Sequence, residues 1–209
     1  NPNAHKFGNL MNLPGLVKAI GTANRYSSAT ADQIPHHVAS IHMLGHPMLM
    51  PIPDIDRTDF MIIIGGNPLI SNGSMMTAPG FGRRMEELKA RGGRVVVIDP
   101  RRTETAEKAS AHHFIRPETD AHLLLAMIHV ILSDQQKTPG HLSPLLDGMD
   151  QLRTAVAPFT PELAAAATGI AAEAIRTLAR DFAGAARAVC YSRMGASTQS
   201  FGSLCQRAN

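Results

Sequence analysis

FMIIIGGNPLISNGS, residues 60–74, joins an apolar run to two glycines, an Asn-Pro pair and two serines. The run from Asp59 to Ile64 is short and β-branched, which suits a strand covered on both faces. A strand with no solvent face needs a layer on either side, so the stretch argues for a sheet held between helices. Next comes a helix expected from about Pro79 to Arg91. Phe81, Met85 and Leu88 fall on one of its faces, and Gly92-Gly93 supply a left-handed stop. RVVVID, Arg94 to Asp99, reads as a second buried strand. Strand, helix and strand at this length form a βαβ unit, and its right-handed crossover makes the two strands parallel.

The pattern continues downstream. TETAEKA is a helical turn, HHFIR (His112 to Arg116) a third strand, and Asp120 to Ser133 an apolar-rich helix capped by Thr119. Asp134 to Gly148, rich in Pro, Gly and Gln, reads as a surface excursion. Thr160-Pro161-Glu162 opens another helix with proline at its first position, and Gly169 stops it. Ala172 to Phe182 carries Ile175, Leu178 and Phe182 at helical spacing, and Arg187 to Tyr191 is a fourth strand. The first fifty residues show little periodicity. The fold class expected is α/β, a mostly parallel sheet flanked by helices in a Rossmann-like three-layer arrangement.

Composition narrows the function classes. With 44% apolar and 18% charged residues among 209, the chain can bury a domain-sized core. The formal charge of +3 is spread along the chain, and no aromatics interleave with the arginine pairs Arg83-Arg84 and Arg101-Arg102, so nucleic acid is not an expected partner. Cys190 and Cys205 form neither a CxxC nor a disulfide framework. Leu123 to Leu132, the longest apolar stretch, is too short to span a membrane, and NPNAHKFGNL lacks the layout of a signal peptide. The histidines (His36-His37, His42, His46, His112-His113) match no zinc spacing, and the GxSxG elbow of serine hydrolases is missing.

Ligands of parallel sheets sit outside the carboxyl ends of the strands. Every such end here holds suitable groups: GGNPLISNGS, DPRRTET, RPETD and RMGASTQ. Gly65 and Gly66 let backbone approach a ligand closely, while Asn67, Ser71 and Ser74 can donate to phosphate oxygens. Asp99 can accept from ribose hydroxyls or a guanine edge, and Arg101 can reach a phosphate or stack on a base. Each group has a plainer reading: GGNP as a tight turn, Asp99-Pro100 as an Asx turn, Asp120 as an acid favoured in a helix's first turn. Recurrence at successive strand ends favours a nucleotide. The GxGxxG fingerprint is absent, which disfavours an NAD-linked dehydrogenase.

Taken together, IIIGGNPLISNG, VVVIDPRRTETAEKASAHHFIRPETDAHLLLAMIHVIL and RMGASTQSFG resemble, in the order of the three motifs, the molybdopterin oxidoreductases of the dimethyl-sulfoxide reductase and formate dehydrogenase superfamily. The resemblance implies a dinucleotide-binding-like domain, residues 51–209, that grips one half of a bis(molybdopterin guanine dinucleotide) cofactor carrying molybdenum or tungsten. Residues 1–50 would be an irregular segment lining the metal site. By resemblance, Gly66, Asn67 and Ser71 lie near the cofactor's phosphates and Asp99 and Arg101 meet the guanosine. Thr119 and Asp120 close on the guanine, and Gln199 lies near the pterin. Glu118 stands where the family usually has glycine. The family's metal ligand follows a GTNN motif; here Gly21-Thr22 and Asn24 place Asp32 at that position, eight residues on, with Ser27 and Ser28 as nearby alternatives. An oxygen ligand suits a hard, high-valent metal.

The resemblance further implies a two-electron redox reaction of a small-molecule substrate, with Asp32 and Asn24 at the reacting centre. Electrons would leave through a 4Fe-4S cluster in a missing N-terminal part. The expected partners are the remaining domains of a longer parent chain and an electron-transfer subunit, and the isolated segment is expected to be inactive. The cytoplasm is the expected location, or the periplasm if a twin-arginine leader precedes Asn1. The rival reading is a non-catalytic nucleotide-binding or scaffold module that retains the fold; the missing cysteine or selenocysteine and Glu118 speak for it.

Overall fold

Phe60–Ile64 is β1, and all of its side chains are buried. The computed structural model describes residues 7–24, 26–27, 29–134 and 140–209. Ahead of β1 lie α1 (Phe7–Ile20), α2 (Ala29–Asp32) and α3 (Ile34–Leu44). After it come α4 (Pro68–Ser71), α5 (Phe81–Ala90), β2 (Arg94–Ile98), α6 (Glu104–Lys108), β3 (Ala111–His113) and α7 (Asp120–Ser133). The chain continues through α8 (Met149–Val156), α9 (Pro161–Thr168), α10 (Ala172–Gly184), β4 (Ala188–Ser192), α11 (Met194–Ser197) and α12 (Gly202–Ala208).

The strands form one sheet in the order β3-β2-β1-β4, and every pairing is parallel. From β1 the chain builds outward through β2 and β3, then returns past β1 to lay down β4 on its other side. The order therefore reverses between β1 and β4, which is where open parallel sheets take ligands at their carboxyl edge. Alternation along the strands sorts the core into two layers. Ile62, Ile64, Val96 and Ile98 pack with Leu123, Leu124 and Met127 of α7 and Ile175 and Leu178 of α10. Met61, Ile63, Val95 and Val97 face the opposite way, onto Phe81, Met85 and Leu88 of α5. Burying an aliphatic side chain as completely as Ile62 stabilises the fold by about 1.5–3 kcal/mol.

Several elements differ from the sequence reading. The third strand is shorter and starts earlier than HHFIR: from Arg116 the backbone turns to the Thr168 carbonyl instead of continuing the ladder, and Phe114 is exposed. Thr119 precedes α7 without capping it, because its hydroxyl donates 2.6 Å back to the Arg116 carbonyl. Gly80, with φ +65°, delays the start of α5 to Phe81. The first fifty residues are not irregular throughout, since α1 and α3 lie within them. None of the residues of α1 is buried, which removes the amphipathic signal a sequence reading needs. In the expected surface excursion, Gly140–Leu145 forms a 3-10 turn. Residues 135–139, Ser28 and the Ser74 side chain lie outside what is described.

Candidate cofactor-binding site

The exits of β1 and β4 touch backbone to backbone. Gly65, at φ +57°, lies so close to Gly195 that a Cβ on it would stand 2.7 Å from the Gly195 Cα. Conversely, a Cβ on Gly195 would stand 2.6 Å from the Gly65 Cα. The ladder runs on past the strands: Arg193 N–H donates to the Ile64 carbonyl at 3.0 Å and Gly195 N–H to the Gly65 carbonyl at 2.9 Å. Only glycine allows this approach, so at Gly65 the steric need is stronger than that of an ordinary tight turn.

Asn67 ties the first exit to the second. Its Oδ1 accepts from the buried Thr105 hydroxyl at 2.7 Å and from the Thr105 N–H at 3.2 Å, while its Nδ2 donates to Glu104 at 2.7 Å. The exposed Arg101 lies 3.6 Å from the same Glu104 carboxylate. Asp99 is half-buried, and its Oδ1 accepts the Arg101 N–H at 2.8 Å, so the plain Asx turn is present alongside any binding role. Burial raises the Asp99 carboxyl above its ordinary value.

The third and fourth exits meet at Asp120, the buried first residue of α7. Gln199 Nε2 donates to the Asp120 carboxylate and, at 2.6 Å, to the Gly195 carbonyl. Burial raises the Asp120 carboxyl; the Gln199 hydrogen bond opposes the rise, and the nearby Asp99 charge adds to it. The oxygens of these two partly desolvated carboxyls lie on one edge, where they can accept N–H or O–H donors from a ligand. Gln199 Oε1 is buried without a hydrogen-bond partner among the described residues, an acceptor left over for a donor from outside. Glu118 sits at φ +68°, the left-handed conformation glycine adopts freely. The backbone thus keeps the shape expected where glycine is usual.

Asp32 ends α2, and its Oδ1 accepts from Arg193 Nη2 at 2.7 Å. This ion pair is largely buried, with Arg193 7% and Asp32 23% exposed. Asn24 is exposed, its N–H donating to Thr22 Oγ1 at 3.1 Å. Ser27 is also exposed and caps the Ala29 N–H at 3.2 Å. Ser71 ends α4, exposed, with its hydroxyl turned back to the Asn67 carbonyl at 3.3 Å.

The structure therefore brings Gly66, Asn67, Asp99, Arg101, Asp120 and Gln199 onto one carboxyl edge. Asp32 reaches that edge through Arg193, whose Cβ would be 3.3 Å from a Cβ on Gly66. The side chains of Thr119, Ser71 and Ser27 are occupied by local backbone contacts, and Asn24 stands exposed away from the edge contacts. The sequence reading did not single out Arg193, Glu104, Thr105 or Gly195, although all lie inside the quoted motifs. A lone arginine between a strand and a run of small polar residues was the signal available for Arg193. A cavity of about 390 Å³ beside β4, lined by His36, Met43 and Tyr191 among others, contains none of the edge carboxylates. Among the described residues, no cluster of three or more His, Cys, Asp or Glu could hold a metal, and no helix is long and apolar enough to cross a membrane.

The edge offers carboxylate and amide oxygens that can accept a ligand's N–H or O–H donors, and an exposed arginine that can meet an anion. The family described as molybdopterin oxidoreductase matches residues 2–177. The chain is 32% identical to formate dehydrogenase H of Escherichia coli (strain K12) over 178 residues, covering 84% of this chain and 24% of the relative. It is 32% identical to a dimethyl sulfoxide/trimethylamine N-oxide reductase of Cereibacter sphaeroides over 173 residues, covering 78% and 21%. Acetylene hydratase from Pelobacter acetylenicus shares the fold, with a TM-score of 0.78 and 24% identity over 94% of this chain and 26% of that one. The chain spans about a quarter of the length of these relatives.

Proposed function

The chain belongs to the molybdopterin oxidoreductase family, and from that premise we propose that its sheet edge binds one guanine dinucleotide half of a bis(molybdopterin guanine dinucleotide) cofactor. The observation that carries this reading is the linkage of all four strand exits. Asn67 binds the β1 exit to the β2 exit, and Gln199 binds Asp120 to the β4 exit. When bound, the metal centre supplies two-electron redox chemistry on a small substrate; the protein supplies orientation. Asp120 and Asp99 accept from guanine and ribose. Arg101 balances phosphate charge, and Gln199 Oε1 takes one further donor. Asp32 is the protein group offered to the metal, molybdenum or tungsten. The longer protein would bring the remaining domains, a 4Fe-4S cluster and an electron-transfer subunit.

Metal analysis and acid hydrolysis of the full-length protein test this reading. Molybdenum or tungsten together with released GMP is the expected result. Asp120→Asn should lower GMP content about tenfold or more, since a hydrogen bond to a charged group contributes about 1.5–3 kcal/mol. Neither metal nor GMP in the wild-type protein would leave the scaffold reading standing and this one refuted.

A further inference from the structure

Asp32 does not present a free carboxylate. Arg193 holds Oδ1 at 2.7 Å, while Oδ2 accepts no hydrogen bond from any described residue. Arg193 is itself firmly planted. Its N–H extends the β1–β4 ladder to the Ile64 carbonyl, and its stem packs over Gly66. The guanidinium thus projects from the sheet edge onto α2, a four-residue helix with little hold of its own. The partners are 161 residues apart in sequence, so the contact ties α2 to the binding edge.

We propose that Arg193 is a positioning residue: by gripping one oxygen of Asp32 it turns the other toward the metal and sets the coordination geometry there. The proposal rests on the reading of Asp32 as the metal ligand. Hydrogen-bonded partners of this kind orient metal-binding carboxylates and tune the metal they hold. Burial, with the Arg193 charge adding to it, lowers the pKa of His36, one turn beyond Asp32, to about 4. Arg193 supplies the cation that faces Asp32. Lysine would retain the charge there but not the planar fork, so Arg193→Lys separates charge from direction.

The test uses the full-length, cofactor-loaded protein and the electron paramagnetic resonance of the pentavalent metal, with GMP content and thermal midpoint measured alongside. Asp32→Asn should shift the g-values. Arg193→Lys should shift them as well while GMP content and midpoint stay near wild type, and Arg193→Met should shift them in whatever protein retains cofactor. If Asp32→Asn shifts the signal and neither Arg193 variant does, Arg193 is merely structural and the proposal is overturned, with Asp32 still the ligand. If Asp32→Asn leaves the signal unchanged, Asp32 is not the ligand, and both the reading and the proposal fall.

Discussion

Gly195→Ala places a methyl group 2.6 Å from the Gly65 Cα and 3.0 Å from its carbonyl oxygen. Carbon atoms pack comfortably at about 3.5–4.0 Å, so the β1 and β4 exits must separate by roughly 1 Å. No side-chain rotation can absorb this, because the obstructing atoms are backbone. Forced overpacking costs about 1–3 kcal/mol, and losing the 2.9 Å bond from Gly195 N–H to the Gly65 carbonyl adds about 0.5–1.5 kcal/mol. A total of about 2–4 kcal/mol should lower the thermal midpoint by about 4–16 °C in a chain of this length. The same shift carries the Gly195 carbonyl away from Gln199, so cofactor content in the full-length protein should fall with it. Gly184→Ala is the control: it lies at the exposed end of α10 with nothing within 4 Å, and should stabilise by about 0.4–1 kcal/mol. Scanning calorimetry of both variants decides. A Gly195→Ala midpoint within about 2 °C of wild type would show that the exits are not tightly apposed.

Other residues give independent checks. Asp120 and Asp99 have raised carboxyl pKa values, so the folded chain binds their protons more tightly than the unfolded chain. Their stabilising contribution is therefore fully present below the unfolded carboxylate range and is lost as pH rises through the folded values. Asp120→Asn should accordingly stabilise the cofactor-free chain most near neutral pH and progressively less on acidification; a pH-independent difference in midpoint contradicts this. Asn67→Ala strips the buried Thr105 of its acceptor and should cost about 1–3 kcal/mol, read in urea as a lower midpoint with unchanged slope. A midpoint equal to wild type would mean the link between the first two exits is not formed. Glu118→Gly relieves a left-handed residue that costs about 1–2 kcal/mol, against up to about 1 kcal/mol of added chain entropy. It should raise stability by up to about 2 kcal/mol, and a clear loss would argue that Glu118 has a role of its own.

Asp59 to Ile64 and Arg94 to Asp99 declared two buried parallel strands because their apolar runs leave no solvent face, and Phe81, Met85 and Leu88 declared the helix between them by spacing. Such signals are local: period, cap and stop residues act within a few positions of one another. The strand-end groups Asn67, Asp99, Asp120 and Gln199 were legible for the same reason, each closing a recognisable run. Folding alone could bring Gly65 against Gly195, Gln199 onto Asp120, and Arg193 across 161 residues onto Asp32. Those contacts arise because the chain crosses back past β1 before laying down β4, so their partners are set by sheet order and not by anything written near either residue.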